Sequence, residues 1–370
     1  MRIVVLLLVG CLLSCSPVQK QRQVTLFETG EFPAQLSQWG LLYESNGRLV
    51  TNSRVIPYDL KSSLFTDYAQ KFRTVYVPPG QTGTVIDDEL VLPVGSILSK
   101  TFYYPVSDGA LQSKELTQVA RSADQPGLRL DEIQLIETRL LVHLDKGWVG
   151  LPYVWNAAGT EAILEIAGAE LDLSLETDQG TQAVRYVVPD FNQCQGCHIE
   201  DLTAGNMTPI GFKARHIDKH YEYLQGAGDQ LVYLAAQGVI DQRPQAAYAS
   251  SVDWENEQAG LDDRARSYLD INCGHCHNPT GAADTSGMFL TRDTIEKLRL
   301  GVCKPPVAAG QGTGGRPVGI SPGHPERSIM TYRMASQDLG AMMPELGRSL
   351  VHQEGVELIT DWIAGMPEGC

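Results

Sequence analysis

Two short stretches of the chain set a pair of thiols and an imidazole at one fixed spacing: Cys194-Gln195-Gly196-Cys197-His198 and Cys273-Gly274-His275-Cys276-His277. Thiols three positions apart on a tight turn can each reach one vinyl group of the same porphyrin and close a thioether. The histidine that follows then points its imidazole at the iron. Cys-x-x-Cys alone also serves zinc and disulfides, but neither use explains why a histidine comes directly after both pairs. The pattern is that of c-type haem attachment, present twice. It predicts two covalent haems, with Cys194, Cys197, His198, Cys273, Cys276 and His277 as binding residues and His198 and His277 on the iron. A ligand on the far side of the first iron, if it comes from the same segment, is Met207, His216 or His220; an open position is the alternative. His275 reads as an exposed variable residue of its motif, and His143, His324 and His352 as ordinary surface histidines.

The other cysteines bear on compartment. Of the eight in all, Cys11 and Cys15 lie near the start, and Cys303 and Cys370 remain as an even pair. Met1-Arg2 and the apolar run Ile3 to Leu13 read as an export signal. Leu12-Leu13-Ser14-Cys15 resembles the lipobox at which bacterial lipoprotein precursors are cut and the cysteine acylated. Cys15 is thus the expected lipidation site. Cys11 is a weaker fit because its hydrophobic run is short, and an ordinary cleaved signal is the other alternative. Ser16 resembles the sorting pattern for the outer membrane, so the expected location is the cell envelope, lipid-anchored and facing the periplasm. Disulfides persist in that compartment. A Cys303–Cys370 bridge is expected there, with two free thiols as the alternative.

Composition narrows the partners. The chain has 370 residues, 43% of them hydrophobic, and a formal net charge of −15. So acidic a chain lacks the basic surface that phosphate contacts require, and no nucleic-acid partner is expected. A redox partner with a positively charged docking face would associate faster through electrostatic steering. No Ser/His/Asp arrangement, P-loop or dinucleotide glycine motif stands out.

These residues need elements to hold them. After a signal at 1–14 and a polar tether at 15–35, residues 36–190 carry short β-branched and aromatic runs bounded by Pro, Gly or Asp, among them 72–77, 89–92, 97–104, 137–144, 148–155 and 183–188. They predict an all-β, sandwich-like domain. Beyond Asp190 the pattern of Tyr221, Leu224, Leu231 and Leu234, closed by Gly238, predicts helix within a first haem-binding segment at 191–255, with His216 and His220 four apart on a helix. In 256–370 a helix over 261–271 delivers Cys273, a Gly- and Pro-rich loop spans 303–325, and an amphipathic helix ends the chain. The fold expected is therefore multidomain, a β-sandwich-like domain followed by mainly α-helical haem domains.

Residues 260–370 resemble a class I cytochrome c in the order helix, Cys-x-x-Cys-His, loop, Met-Pro, final helix. That resemblance implies a methionine directly before proline as the iron's sixth ligand, which selects Met343 in Met342-Met343-Pro344 over Met342. A wider stretch, about residues 55–370, resembles a family of largely uncharacterised exported diheme c-type cytochromes. It does so through Tyr58-Asp59-Leu60-Lys61-Ser62-Ser63-Leu64-Phe65-Thr66-Asp67-Tyr68-Ala69, Lys100-Thr101-Phe102-Tyr103-Tyr104-Pro105, Glu137-Thr138-Arg139-Leu140-Leu141-Val142, Pro152-Tyr153-Val154-Trp155-Asn156, Asn192-Gln193-Cys194, Pro209-Ile210-Gly211, the loop from Cys303 to Arg316 and Met342 to Arg348. What it implies is haem binding and electron transfer, with no assigned reaction. Two alternatives stand beside an electron carrier. One is a diheme redox enzyme such as a peroxidase, with an open iron at His198 and an acid/base group such as Glu200 or His216 nearby. The other is a ligand- or partner-binding β domain, with Trp148, Tyr153 and Trp155 lining a surface.

Overall fold

The computed structural model describes residues 23–28, 30–114, 127–244, 248–307 and 309–370; Cys11 and Cys15, with the expected signal and lipidation site, lie outside them. The β-rich runs build one large curled sheet of nine strands. Its main path runs Ala162–Leu164, Gly147–Trp155, Ile133–Leu144, Ile97–Ser107, Ala110–Gln112, Ala169–Thr177 and Gly180–Val188. Gln70–Tyr76 also pairs with Ile97–Ser107, and Val55–Tyr58 pairs with Gln70–Tyr76.

Alternation along each strand gives the sheet two distinct faces. On one face Phe72, Tyr76, Ile97, Leu140, Leu151 and Tyr153 pack around Trp39. Trp39 Nε1 donates to the Tyr153 hydroxyl, which donates in turn to the Pro33 carbonyl. Phe27 and Phe32, in the segment expected to be a tether, pack against that same cluster. On the opposite face Val75 and Leu98, with Leu141 at the margin, meet Phe212, Ile217, Leu231, Leu234 and Ile271 from the chain beyond Asp190.

The expected fold class is corrected. Of the described residues 30% are strand and 20% helix, and no helical cytochrome domain is evident among them. Among the described residues only Leu261–Cys273 and Gln353–Ala364 are α-helices longer than eight residues. Among the described residues the other sheets are a three-stranded one and two hairpins, and Leu42, Leu49 and Leu128 of the three-stranded sheet pack into the cluster around Trp39. The helix expected through Tyr221 is in its first half a hairpin, His220–Tyr223 with Gly226–Asp229. Tyr221 and Tyr223 are buried while His220 and Glu222 are exposed, a period of two, and Gly226 takes the turn at φ +107°. Helix resumes only at Gln230–Ala236, after which Gly238 stops it at φ +73°. His216 and His220 are therefore not on one helix: His216 lies in Ala214–Ile217 and His220 opens a strand.

The C-terminal part has a core of its own, around Trp254, Tyr268, Leu269, Ile359 and Trp362, and is fastened to the rest by specific contacts. The buried Asp67 carboxylate accepts the backbone N–H groups of Ser349 and Leu350. Asn272 Oδ1 accepts from Phe65 N at 2.8 Å, and the Phe65 ring stacks on His352 at 4.2 Å. Cys303 and Cys370 are joined by a disulfide that ties the chain end to the start of the Gly- and Pro-rich loop.

Candidate functional site

The first thiol pair stands on the helix Phe191–His198, which starts where it does because Asp190 caps it. The Asp190 carboxylate accepts from Asn192 N and Gln193 N, and Gln193 reaches back to Asp190 N. The second pair straddles the end of Leu261–Cys273, where the turn is held by Cys276 N and His277 N donating to the Cys273 carbonyl. All four thiols are free and half-buried.

The fold brings the two motifs into contact. Cys276 Sγ lies 3.8 Å from the Gly196 carbonyl. Leu202 N donates to the Thr280 carbonyl at 2.9 Å, and Thr280 Oγ1 donates to the Glu200 carbonyl at 3.1 Å. Glu345 and Leu346 lie beside this junction. A Cβ on Gly196 would stand 3.5 Å from Leu346 Cδ1, and Glu345 is close enough to Cys276 to act on its thiol.

Both histidines are oriented in the same way. His198 Nδ1 donates to the Thr208 carbonyl at 2.7 Å, and His277 Nδ1 to the Met288 carbonyl at 3.2 Å. A carbonyl only accepts, so each Nδ1 carries the proton and each Nε2 keeps its lone pair. Burial pushes His198 down to about 3, with the Lys100 ammonium acting in the same direction. Burial likewise lowers His277. Both imidazoles are thus neutral at neutral pH. Burial pushes Cys273 and Cys276 up to about 12 and raises Cys194 and Cys197, so these free thiols are protonated at neutral pH.

The remaining expected residues divide. Met207 is buried beside the first motif: a Cβ built on Gly150 would meet Cys194 Sγ at 3.1 Å and Met207 Cε at 3.4 Å. His216 is buried against Asp270, with Nε2 to Oδ2 at 3.5 Å, and its Nδ1 has no partner. His220 is exposed. Met343 is half-buried and Met342 buried; Met343 N donates to the Arg333 carbonyl at 3.0 Å. Glu200 is held by Lys213 at 2.9 Å, and Asp201 caps the turn at Thr203 and Ala204. Tyr153 is fully buried, and the half-buried Trp155 donates its Nε1 hydrogen to Thr138.

Two histidines correct the sequence reading. His275 is half-buried, not exposed, with Nδ1 orphaned, and burial followed by the neighbouring His277 pushes it down to about 4. His352 is buried, accepting or donating at 2.9 Å with the Tyr268 hydroxyl. The sequence also gave no notice of Arg73, Lys100 and Arg139, which stand side by side on adjacent strands. The available signal was a basic residue at a core-facing phase of three apolar strands.

No family model, curated protein or solved structure matches the chain. The labels cytochrome and metal-binding are corrected as well, since helix is scarce and, among the described residues, no three or more His, Cys, Asp or Glu side chains gather as a metal site. A covalent tetrapyrrole would ask less of the chain, because its own ring nitrogens would supply most of the iron's ligands. What it requires is two thiols within reach and one neutral imidazole, and each motif presents those donors.

Proposed function

We propose that the chain binds two c-type haems covalently, one through Cys194 and Cys197 with His198 and one through Cys273 and Cys276 with His277, and that it transfers electrons in the cell envelope. The observation that carries this reading is the pair of identical donor sets: two free thiols and a histidine whose Nδ1 is tied to a backbone carbonyl, twice, in contact with each other. Once bound, such groups supply one-electron redox chemistry at potentials that the protein tunes. The chain's own part is to present Nε2 of His198 and His277, to bury both imidazoles, and to set Glu345 and Leu346 beside the junction. Met207 beside Cys194 is the side chain best placed to complete the first site; Met343 is the proposal for the second. The resemblance to exported diheme proteins and the lipobox-like Cys15 support an anchored, periplasm-facing location and a redox partner with a positive docking face.

The test is expression in a host that matures c-type haems, followed by a pyridine haemochrome count, intact mass, and spectra of oxidised and reduced forms with and without carbon monoxide. Two covalent haems per chain and no carbon monoxide binding are expected. A single haem would remove one motif from the reading, no haem would remove the reading itself, and two haems with one that binds carbon monoxide and turns over peroxide would move it to an enzyme.

A further inference from the structure

The sheet face turned toward Cys194 carries a lysine that no acid among the described residues pairs with. Antiparallel register aligns Val75, Leu98, Leu141 and Gly150 across four strands, and Gly150 is where Cys194 packs. The next row along is Arg73, Lys100, Arg139 and Pro152, and the one after it Lys71, Phe102, Glu137 and Val154. These rows are two residues apart on every strand, so all three point to the same face. The buried Phe102 ring is surrounded by cations, with Lys71 Nζ at 5.8 Å, Lys100 Nζ at 5.1 Å and Arg139 Cζ at 4.5 Å from its centroid.

Carboxylates answer two of these cations directly. Arg73 pairs with Asp59 at 3.0 Å and Arg139 Nε with Glu137 at 2.8 Å, while Lys71 donates to the Leu64 carbonyl. Lys100 has no hydrogen-bond acceptor and no ion pair among the described residues, only the face of Phe102. It lies close enough to His198, Cys197 and His275 for its charge to act on each. Burial, with the Arg139 and Arg73 guanidiniums on either side, pushes Lys100 down to about 7, so a bound anion is what would hold it charged, and the arrangement is a row of donors matched to one.

We propose that Lys100, flanked by Arg73 and Arg139, is a binding site for a carboxylate presented beside the Cys194–His198 motif. The carboxylate is either a propionate of the haem attached there or that of a small free acid. The first source rests on the reading of the preceding subsection; the second does not. In the first case the β sheet is a wall of the first haem site, fixing the acidic edge of the group whose vinyl edge Cys194 and Cys197 hold.

The experiment compares the matured wild-type protein with Lys100→Gln, Lys100→Arg and Lys114→Gln, an exposed lysine paired with Asp178. Haem count, the two midpoint potentials, their pH dependence and the propionate bending band in resonance Raman are read for each. Lys100→Gln is expected to keep two haems while one potential falls, its pH profile moves and the propionate band shifts; Lys100→Arg restores these and Lys114→Gln changes none. Should Lys100→Gln not fold, Arg139→Lys is expected to shift the same band. Two haems with an unmoved band and pH profile in these variants point to the free-acid source, which requires saturable binding of acetate or succinate by the wild type that Lys100→Gln weakens at least tenfold. Absence of that binding as well overturns the site and leaves the haem reading standing. A wild-type chain with no haem overturns that reading instead, and the same acid titration on the haem-free chain then decides the carboxylate site alone.

Discussion

Each donor in the two motifs has a separate job, which makes it separable by substitution. In the proposed reading Cys194 and Cys197 supply only attachment, so Cys194→Ser combined with Cys197→Ser is expected to lower covalent haem from two per chain to one, read by intact mass, with the second motif unaffected. In the same reading His198 supplies only the nitrogen that would face the iron. His198→Ala is therefore expected to keep both thioethers but open one iron to carbon monoxide, and a spectrum without that change would separate His198 from the proposed role. The Thr208 carbonyl, 2.7 Å from His198 Nδ1, sets which nitrogen is offered.

At the scale of elements, the C-terminal helix contains a residue that helix propensity disfavours. Gly355 sits in Gln353–Ala364, where Ala would be favoured by about 1 kcal/mol in an exposed position. Here an added Cβ would overlap the Tyr268 hydroxyl and come within 2.5 Å of its Cζ, and that ring is buried and tied to His352. Gly355→Ala is thus expected to destabilise by about 1–3 kcal/mol, the range for overpacking, measured as a lower midpoint in urea. A gain in stability would show that Tyr268 moves aside freely. The contact also explains how Leu261–Cys273 is held at the angle that presents Cys273: the two longest helices touch through a glycine.

Across the whole molecule, the Cys303–Cys370 disulfide spans 67 residues. Loop-closure entropy for that span gives about 4 kcal/mol, so Cys303→Ser with Cys370→Ser is expected to lower the thermal midpoint by several degrees, with wild type under reducing conditions matching it. Buried neutral histidines set the acid limit. Burial pushes His216 down to about 4 and His352 to about 3, from 6.5 in a free chain. In that interval the unfolded chain binds more protons than the folded one, so stability is complete above about pH 6.5 and declines as pH falls toward those folded values. Each contributes a slope of up to about 1.4 kcal/mol per pH unit. Urea titrations between pH 7 and pH 4 are expected to show this loss, and His352→Gln to reduce its slope.

The sequence by itself determined what is local: the two thiol-histidine spacings, the even pair Cys303 and Cys370, the strand runs at 72–77, 97–104 and 148–155, and the helix that ends in Cys273. Each follows from covalent spacing or from a period that neighbouring residues impose on one another. Tertiary structure decided what depends on partners distant in sequence. Period alone did not tell the 221–229 hairpin from helix, because Tyr221, Leu224 and Leu231 fit a helical stripe until the burial of Tyr223 shows which residues face inward. Nor did it separate helical domains from loops pinned to a sheet, since contacts such as Asp67 to Ser349 join residues 282 positions apart. The same holds for the site. Each motif is legible as a string of five residues, but their contact at Gly196 and Cys276, the burial of His275, and the row of Arg73, Lys100 and Arg139 exist only because three strands and two helix ends converge there.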